Sequence, residues 1–172
     1  MHMLHLLRHA KSSWKEDVED HERRLNKRGR EAALSVGQSL LGAVGGLDLV
    51  LCSSAARTRE TLELALGESA AKPRCLFEDE LYLADATRLI SRLHRLDEGF
   101  GKVLLVGHNP GIQELAVALA ARDPAHPRTL AGKFPTAARA SFEIATPWRE
   151  LGSAPCRLVD YAIPGSRSAA GG

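Results

Sequence analysis

Leu4-His5-Leu6-Leu7-Arg8-His9 opens the chain with an apolar run that ends in a cation and an imidazole. A short run of this kind reads as a buried strand. In open α/β sheets, ligand sites lie beyond the carboxyl ends of the strands. Two further segments repeat the layout. Leu49-Val50-Leu51-Cys52 runs into Ser53-Ser54-Ala55-Ala56-Arg57-Thr58-Arg59-Glu60-Thr61, and Val103-Leu104-Leu105-Val106 runs into Gly107-His108-Asn109-Pro110. Each apolar run reaches an Arg or His just before a helical pattern, and continuous apolar runs are expected of strands covered on both faces.

Working outward, strand patterns fall at 4–8, 48–52, 74–78, 102–107, 139–145 and 157–163. Ala140-Ser141-Phe142-Glu143-Ile144 alternates, which predicts a half-exposed strand nearer an edge. Helical patterns occupy 26–44, with Asn26 as N-cap, and 55–66, 86–97 and 111–121. Leu89, Leu93 and Leu96 repeat on one face, as do Ile112, Leu115, Ala116 and Leu119. Strands alternating with helices predict a three-layer α/β/α fold with a mostly parallel central sheet. Residues 1–164 read as a single domain without internal repeats. Residues 122–138 read as a long loop and 165–172 as a disordered tail.

Composition narrows the function. The chain has 172 residues, 44% hydrophobic but only 5% aromatic, so the core must rest on Leu, Val, Ile and Ala. With 23 Lys and Arg against 21 Asp and Glu, the balance argues against a nucleic-acid partner, and any functional positive charge must be local. Cys52, Cys75 and Cys156 show neither a CxxC pair nor zinc-like spacing, which suits a reduced compartment. The first residues lack the pattern of a signal peptide, and no run is long enough for a membrane helix, so a cytoplasmic location with no membrane partner is expected.

If the three strands are parallel neighbours, Arg8, His9, Arg57 and His108 converge on one rim. Two guanidiniums and two imidazoles there suit a compact dianion, because the planar fork of arginine matches phosphate and helix N-termini add positive potential. A neutral imidazole can also attack phosphorus, and the second histidine and the arginines would stabilise the transferring oxygens. Each segment alone is more often structural; their joint occurrence carries the inference. His2, His5 and His9 do not converge on a metal, since His2 and His5 fall on opposite faces of a strand. No metal and no cofactor are expected. His21, His94 and His126 read as surface residues.

Arg8-His9-Ala10, the Ser53–Thr61 stretch and Gly107-His108-Asn109 together resemble the signature blocks of the histidine phosphatase superfamily. Leu7–Trp14 with Leu25-Asn26-Lys27-Arg28-Gly29 more narrowly resembles its SixA-type phosphohistidine phosphatases, as does Lys133-Phe134-Pro135-Thr136. The likeness covers roughly residues 4–145. It implies a phosphoglycerate mutase-like fold, His9 as the phosphorylated nucleophile, and Arg8, Arg57 and His108 as binders of the phosphoryl group. Ala10 stands where the wider superfamily usually has Gly, Arg24 where this branch often has Pro, and Ala137-Ala138 where a Gly is frequent.

Glu80 resembles the position of a general acid in other branches, with a solvated acidic loop as the alternative. An alkoxide leaving group needs a placed acid, worth about 10²–10⁴-fold, whereas the imidazole of phosphohistidine leaves readily. Lys11 and Asn109 are expected to help bind substrate. Lys11, Ser12 and Ser13 read as the pocket mouth, and Trp14 equally as a loop anchor. The expected activity is hydrolysis of a phosphorylated substrate, possible partners including a phosphohistidine-bearing protein domain. The alternatives are a small-molecule phosphomonoesterase and a non-catalytic phosphate-binding module.

Overall fold

The computed structural model describes residues 1–44, 46–68, 72–121, 123 and 129–165. One six-stranded sheet is built from β1 (His2–Arg8), β2 (Leu49–Ser53), β3 (Arg74–Glu78), β4 (Lys102–Gly107), β5 (Arg139–Ile144) and β6 (Arg157–Ala162). The strands lie in the order β3-β2-β4-β1-β5-β6. The first four run parallel, while β5 is antiparallel to both β1 and β6. The helices are α1 (Lys27–Val44), α2 (Ala56–Leu66), α3 (Ala86–His94), α4 (Gly111–Ala120) and the single turn α5 (Thr129–Gly132).

The pleat sends alternate strand residues into two cores. Leu4, Leu6, Leu49, Leu51, Val103 and Leu105 pack with Leu89 and Leu93 of α3 and with Ile112, Leu115 and Leu119 of α4. Leu7, Val50, Cys52, Leu104 and Val106 pack on the other side with Ala33, Val36 and Leu40 of α1 and with Leu62 and Ala65 of α2. Helices thus cover both faces, which is why β2 and β4 are continuously apolar. Asn26 caps α1, its Oδ1 accepting from the Gly29 N–H at 2.8 Å. A Cβ on Gly29 would lie 2.0 Å from the Lys11 carbonyl oxygen, so this helix start must be glycine to lie against the segment that follows His9.

Two expectations change. β5 lies near an edge as expected, next to the edge strand β6, but it is not half-exposed: five of its six residues are buried. Its alternation comes from polar residues turned into a buried network. Ser141 Oγ bonds His5 Nδ1 and an Arg139 Nη, while Arg139 Nη2 pairs with Asp160 at 2.7 Å. The expected loop at 122–138 contains α5 and a turn ending at Ala137; residues 122 and 124–128 lie outside the described residues, as does the expected tail at 166–172.

Candidate active site

Sheet register assembles the site. Arg8 is paired with Gly107 across β1 and β4, and Cys52 with Val106 across β2 and β4. The residues that follow, His9, His108 and Ser53, therefore leave three adjacent parallel strands at one edge, and α2 delivers Arg57 from its first turn. Arg8, His9, Arg57, His108, Lys11 and Asn109 line a common cavity of about 460 Å³. Ser12, Trp14, Asp20, Arg23, Leu83 and Thr136 complete its wall.

His9 is 8% exposed and its backbone is fixed from three sides. The Ala137 N–H donates to the carbonyls of both Arg8 and His9, at 3.1 and 3.0 Å. The next peptide is fixed because Ala10 N–H donates to Thr61 Oγ1 at 3.0 Å, and that hydroxyl donates to Arg57 O at 2.7 Å. His9 Nδ1 lies 2.7 Å from the Ala10 carbonyl. A carbonyl only accepts, so Nδ1 carries the proton and Nε2 keeps a bare lone pair. Burial, reinforced by Arg57, Arg8 and Arg23 against the opposing Ala10 carbonyl, lowers the His9 pKa to about 4. The ring is neutral at pH 7.

The His108 ring centroid stands 5.4 Å from that of His9. Its Nε2 lies 2.7 Å from Ser53 Oγ, which also accepts a long hydrogen bond from the Ala55 N–H at 3.4 Å. A hydroxyl both donates and accepts, so Ser53 Oγ meets Nε2 in whichever role the ring tautomer requires. The other ring nitrogen, Nδ1, is buried without a protein partner. Burial, followed by Arg57 and His9, lowers the His108 pKa to about 3. His108 can thus donate a hydrogen bond without carrying charge.

The two arginines differ in their neutralisation. Arg57 donates from Nη1 to the Asp20 carbonyl at 2.7 Å and from Nη2 to Asp20 Oδ2 at 3.1 Å. Arg8 donates from Nη1 to Phe134 O at 3.0 Å and has no ion pair among the described residues; burial pushes its guanidinium below its ordinary value. Nε of each is buried and unpartnered. Asn109 Nδ2 also donates to Phe134 O, at 3.1 Å, and its Oδ1 accepts from Gln113 N–H at 3.2 Å, so this side chain braces the rim at the start of α4.

Glu80 is not brought to the cavity lining. Its carboxylate meets Arg95 at 2.6 Å and Arg92 at 3.4 Å. The acid that lines the cavity is Asp20, whose Oδ2 accepts from the Tyr82 hydroxyl and from Arg57 and whose Oδ1 accepts from Arg23 Nε at 3.1 Å. The Tyr82 hydrogen bond is the largest influence, and with Arg23 and Arg57 it outweighs the opposing effect of burial and holds the pKa at about 2. Arg23 also donates to Ser12 Oγ at 2.7 Å and stacks 3.4 Å from the Trp14 ring centroid. Sequence reasoning missed Asp20 and Arg23, because Asp20 stands among Glu16, Asp17, Glu19 and Glu22 and no spacing singles it out. His21 and His94 are half-buried rather than surface residues, bonded to Ser54 Oγ at 2.8 Å and Leu151 O at 2.8 Å; His126 lies outside the described residues. Trp14 is 77% exposed, and Ser13 is not in the cavity wall.

Comparison with known proteins bears on the family and the fold. The family model of the histidine phosphatase superfamily (branch 1) matches residues 4–82. An uncharacterised protein of Mycobacterium tuberculosis is 33% identical over 162 residues, spanning 92% of this chain and 99% of that protein. Among solved structures, a candidate phosphohistidine phosphatase SixA from Nakamurella multipartitia superposes with a TM-score of 0.84 at 29% identity, over 96% of this chain and 97% of that one. A second candidate SixA, from Agrobacterium tumefaciens, gives 0.80 at 29% identity over 95% and 98%. The chain belongs to the histidine phosphatase superfamily, in its SixA-type group, with a phosphoglycerate mutase-like fold. The same matches support phosphatase activity.

Proposed function

We propose that this chain hydrolyses phosphohistidine through a covalent phosphohistidine intermediate on His9. The observation that carries the reading is the His9 ring, neutral and tautomerically fixed with Nε2 bare, in one cavity with two arginines whose Nε atoms lack partners. In the first step the Nε2 lone pair attacks phosphorus and the bond to the leaving group breaks with its electron pair. In the second, water attacks the phosphoryl group, the P–Nε2 pair returns to His9 and the product is inorganic phosphate. Arg8, Arg57 and the His108 N–H bind the equatorial oxygens throughout, and Lys11 adds charge at the mouth. This positioning is most of what phosphoryl transfer asks of a protein.

The leaving group selects the substrate class. Asp20 is held anionic, and Glu80 is engaged by Arg95 and Arg92, so neither stands ready to protonate an alkoxide. An imidazole leaving group dispenses with that proton. Trp14 and Leu83, 77% and 56% exposed on the cavity wall, suit a protein-borne phosphohistidine better than a small metabolite. Residues 1–164 then act as one catalytic domain. Three free cysteines fit a reducing compartment such as the cytoplasm.

Incubation with a ³²P-labelled phosphoramidate tests the reading. The expected result is turnover with acid-labile, base-stable label on the wild-type chain and neither with His9→Ala. Phosphate binding without label or turnover would make the chain a binding module; turnover of sugar or glycerate phosphates well above phosphohistidine would make it a phosphomonoesterase.

A further inference from the structure

Asp20 sets a carboxylate in a cavity built to hold a phosphoryl anion. Four cations, Arg8, Lys11, Arg23 and Arg57, share its wall, and Asp20 is the one acid among the described lining residues. A negative group there opposes the dianion it faces, so its presence calls for a use. Proton donation to the leaving group is not that use, since the side chain is anionic at any working pH. Pairing with Arg57 is part of it, yet the carboxylate is also held by Arg23 from one side and the Tyr82 hydroxyl from another. Three donors fix its orientation but do not use it up. A carboxylate has about four lone-pair sites, and the Asp20 side chain remains 44% exposed.

We propose that Asp20 is a specificity-determining residue, its free acceptor site taking a hydrogen bond from the N–H of a nitrogen leaving group. The inference rests on the phosphohistidine reading above. A phosphorylated imidazole leaves best when its other ring nitrogen is protonated. Asp20 accepts from that distal N–H and stabilises the cationic ring. His9 Nε2 forms its bond to phosphorus, the old P–N bond breaks, and its electron pair neutralises the ring. The distal proton stays where it was, so the imidazole departs neutral with no proton transfer. An ester presents only oxygen at that place, and a phenolate leaving group brings a developing negative charge towards the carboxylate. Asp20 therefore favours P–N over P–O substrates, and Tyr82 and Arg23 are the residues that position it.

The test compares kcat/KM for a phosphohistidine peptide and for p-nitrophenyl phosphate in wild type, Asp20→Asn and Tyr82→Phe. Asn keeps the size and the contact to Arg57 but removes the charge. Asp20→Asn should lower the ratio of the two values by about 10- to 100-fold, the worth of one charge-assisted hydrogen bond. Tyr82→Phe, which loosens the carboxylate without neutralising it, should lower the ratio less. The alkaline limb of kcat for the peptide, which reports the bound ring, should move to lower pH in Asp20→Asn. Equal losses on both substrates with an unmoved limb would overturn the proposal and leave Asp20 a support for Arg57. Absence of phosphohistidine turnover in the wild type is a different failure, and would overturn the functional reading itself.

Discussion

Arg139 of β5 and Arg57 of α2 are both buried arginines near a histidine, but they keep different company. Around Arg139 every charge has an internal answer. Asp160 lies 2.7 Å away, Ser141 bridges to His5, and Ser39 takes a further contact at 3.4 Å. Around Arg57 and Arg8 the answer is incomplete, since Nε of both is unpartnered and Arg8 meets no acid among the described residues. Burying a cation without a counterion is expensive. The first cluster is therefore structure, while the second stores unmet affinity for an anion. The difference lies in what stands opposite each arginine, not in the residue types.

Substitutions should separate the two clusters. His9→Ala should abolish the phosphoenzyme and lower kcat by about 10⁴-fold or more, as removal of a nucleophile does in other covalent enzymes, read by single-turnover assay. Arg8→Ala should cost about 10²–10³-fold in kcat with little change in urea midpoint. Arg139→Ala should do the reverse. It removes a buried guanidinium that ties Asp160, Ser141 and Ser39 together, should destabilise the fold by about 3–5 kcal/mol, and should leave kcat per folded molecule near wild type. A result in which Arg8→Ala unfolds the protein and Arg139→Ala silences it would break the contrast.

Proton uptake gives a further test. The folded pKa values of His5, His9 and His108 are lowered to about 4, 4 and 3, chiefly by burial. Between about pH 6.5 and 4 the unfolded chain therefore binds more protons than the folded one, so stability is full above that window and declines as pH falls through it. Urea unfolding should give a lower free energy at pH 5 than at pH 7, and ring NMR titrations of these three should show no midpoint near 6.5. Glu80→Gln, outside the cavity wall, should change kcat less than about twofold. Ala137→Gly should be the mildest change of all. Ala137 has φ 63°, a left-handed conformation that costs a residue with a Cβ about 1 kcal/mol, so glycine should leave the melting temperature equal or slightly raised.

Ala137 also shows how much the sequence told. The family likeness marks this place as one where glycine is frequent, and the positive φ supplies the reason. The three strand ends were legible because β1, β2 and β4 are buried on both faces and read as unbroken apolar runs. Arg8, His9, Arg57 and His108 followed from them, since sheet register carries the residue after a strand to a fixed edge. β5 was misjudged because Arg139 and Ser141 look solvent-facing in sequence, and only tertiary pairing with Asp160 and His5 buries them. Asp20 was hidden for the opposite reason. It sits in an acidic run between elements, where position depends on contacts with Arg57, Arg23 and Tyr82 that lie 37, 3 and 62 residues away.

The Ala137 N–H that clasps the carbonyls of Arg8 and His9 sets a timetable for the nascent chain. β1 is made ahead of both its neighbours in the sheet, with β4 translated about 95 residues later and β5 about 130. The polypeptide therefore carries the proposed nucleophile for a long stretch of synthesis without the backbone that aims it. A chain interrupted anywhere before residue 137 should emerge as a catalytically silent fragment, so that competence for phosphoryl transfer waits on residues made about 130 positions after His9.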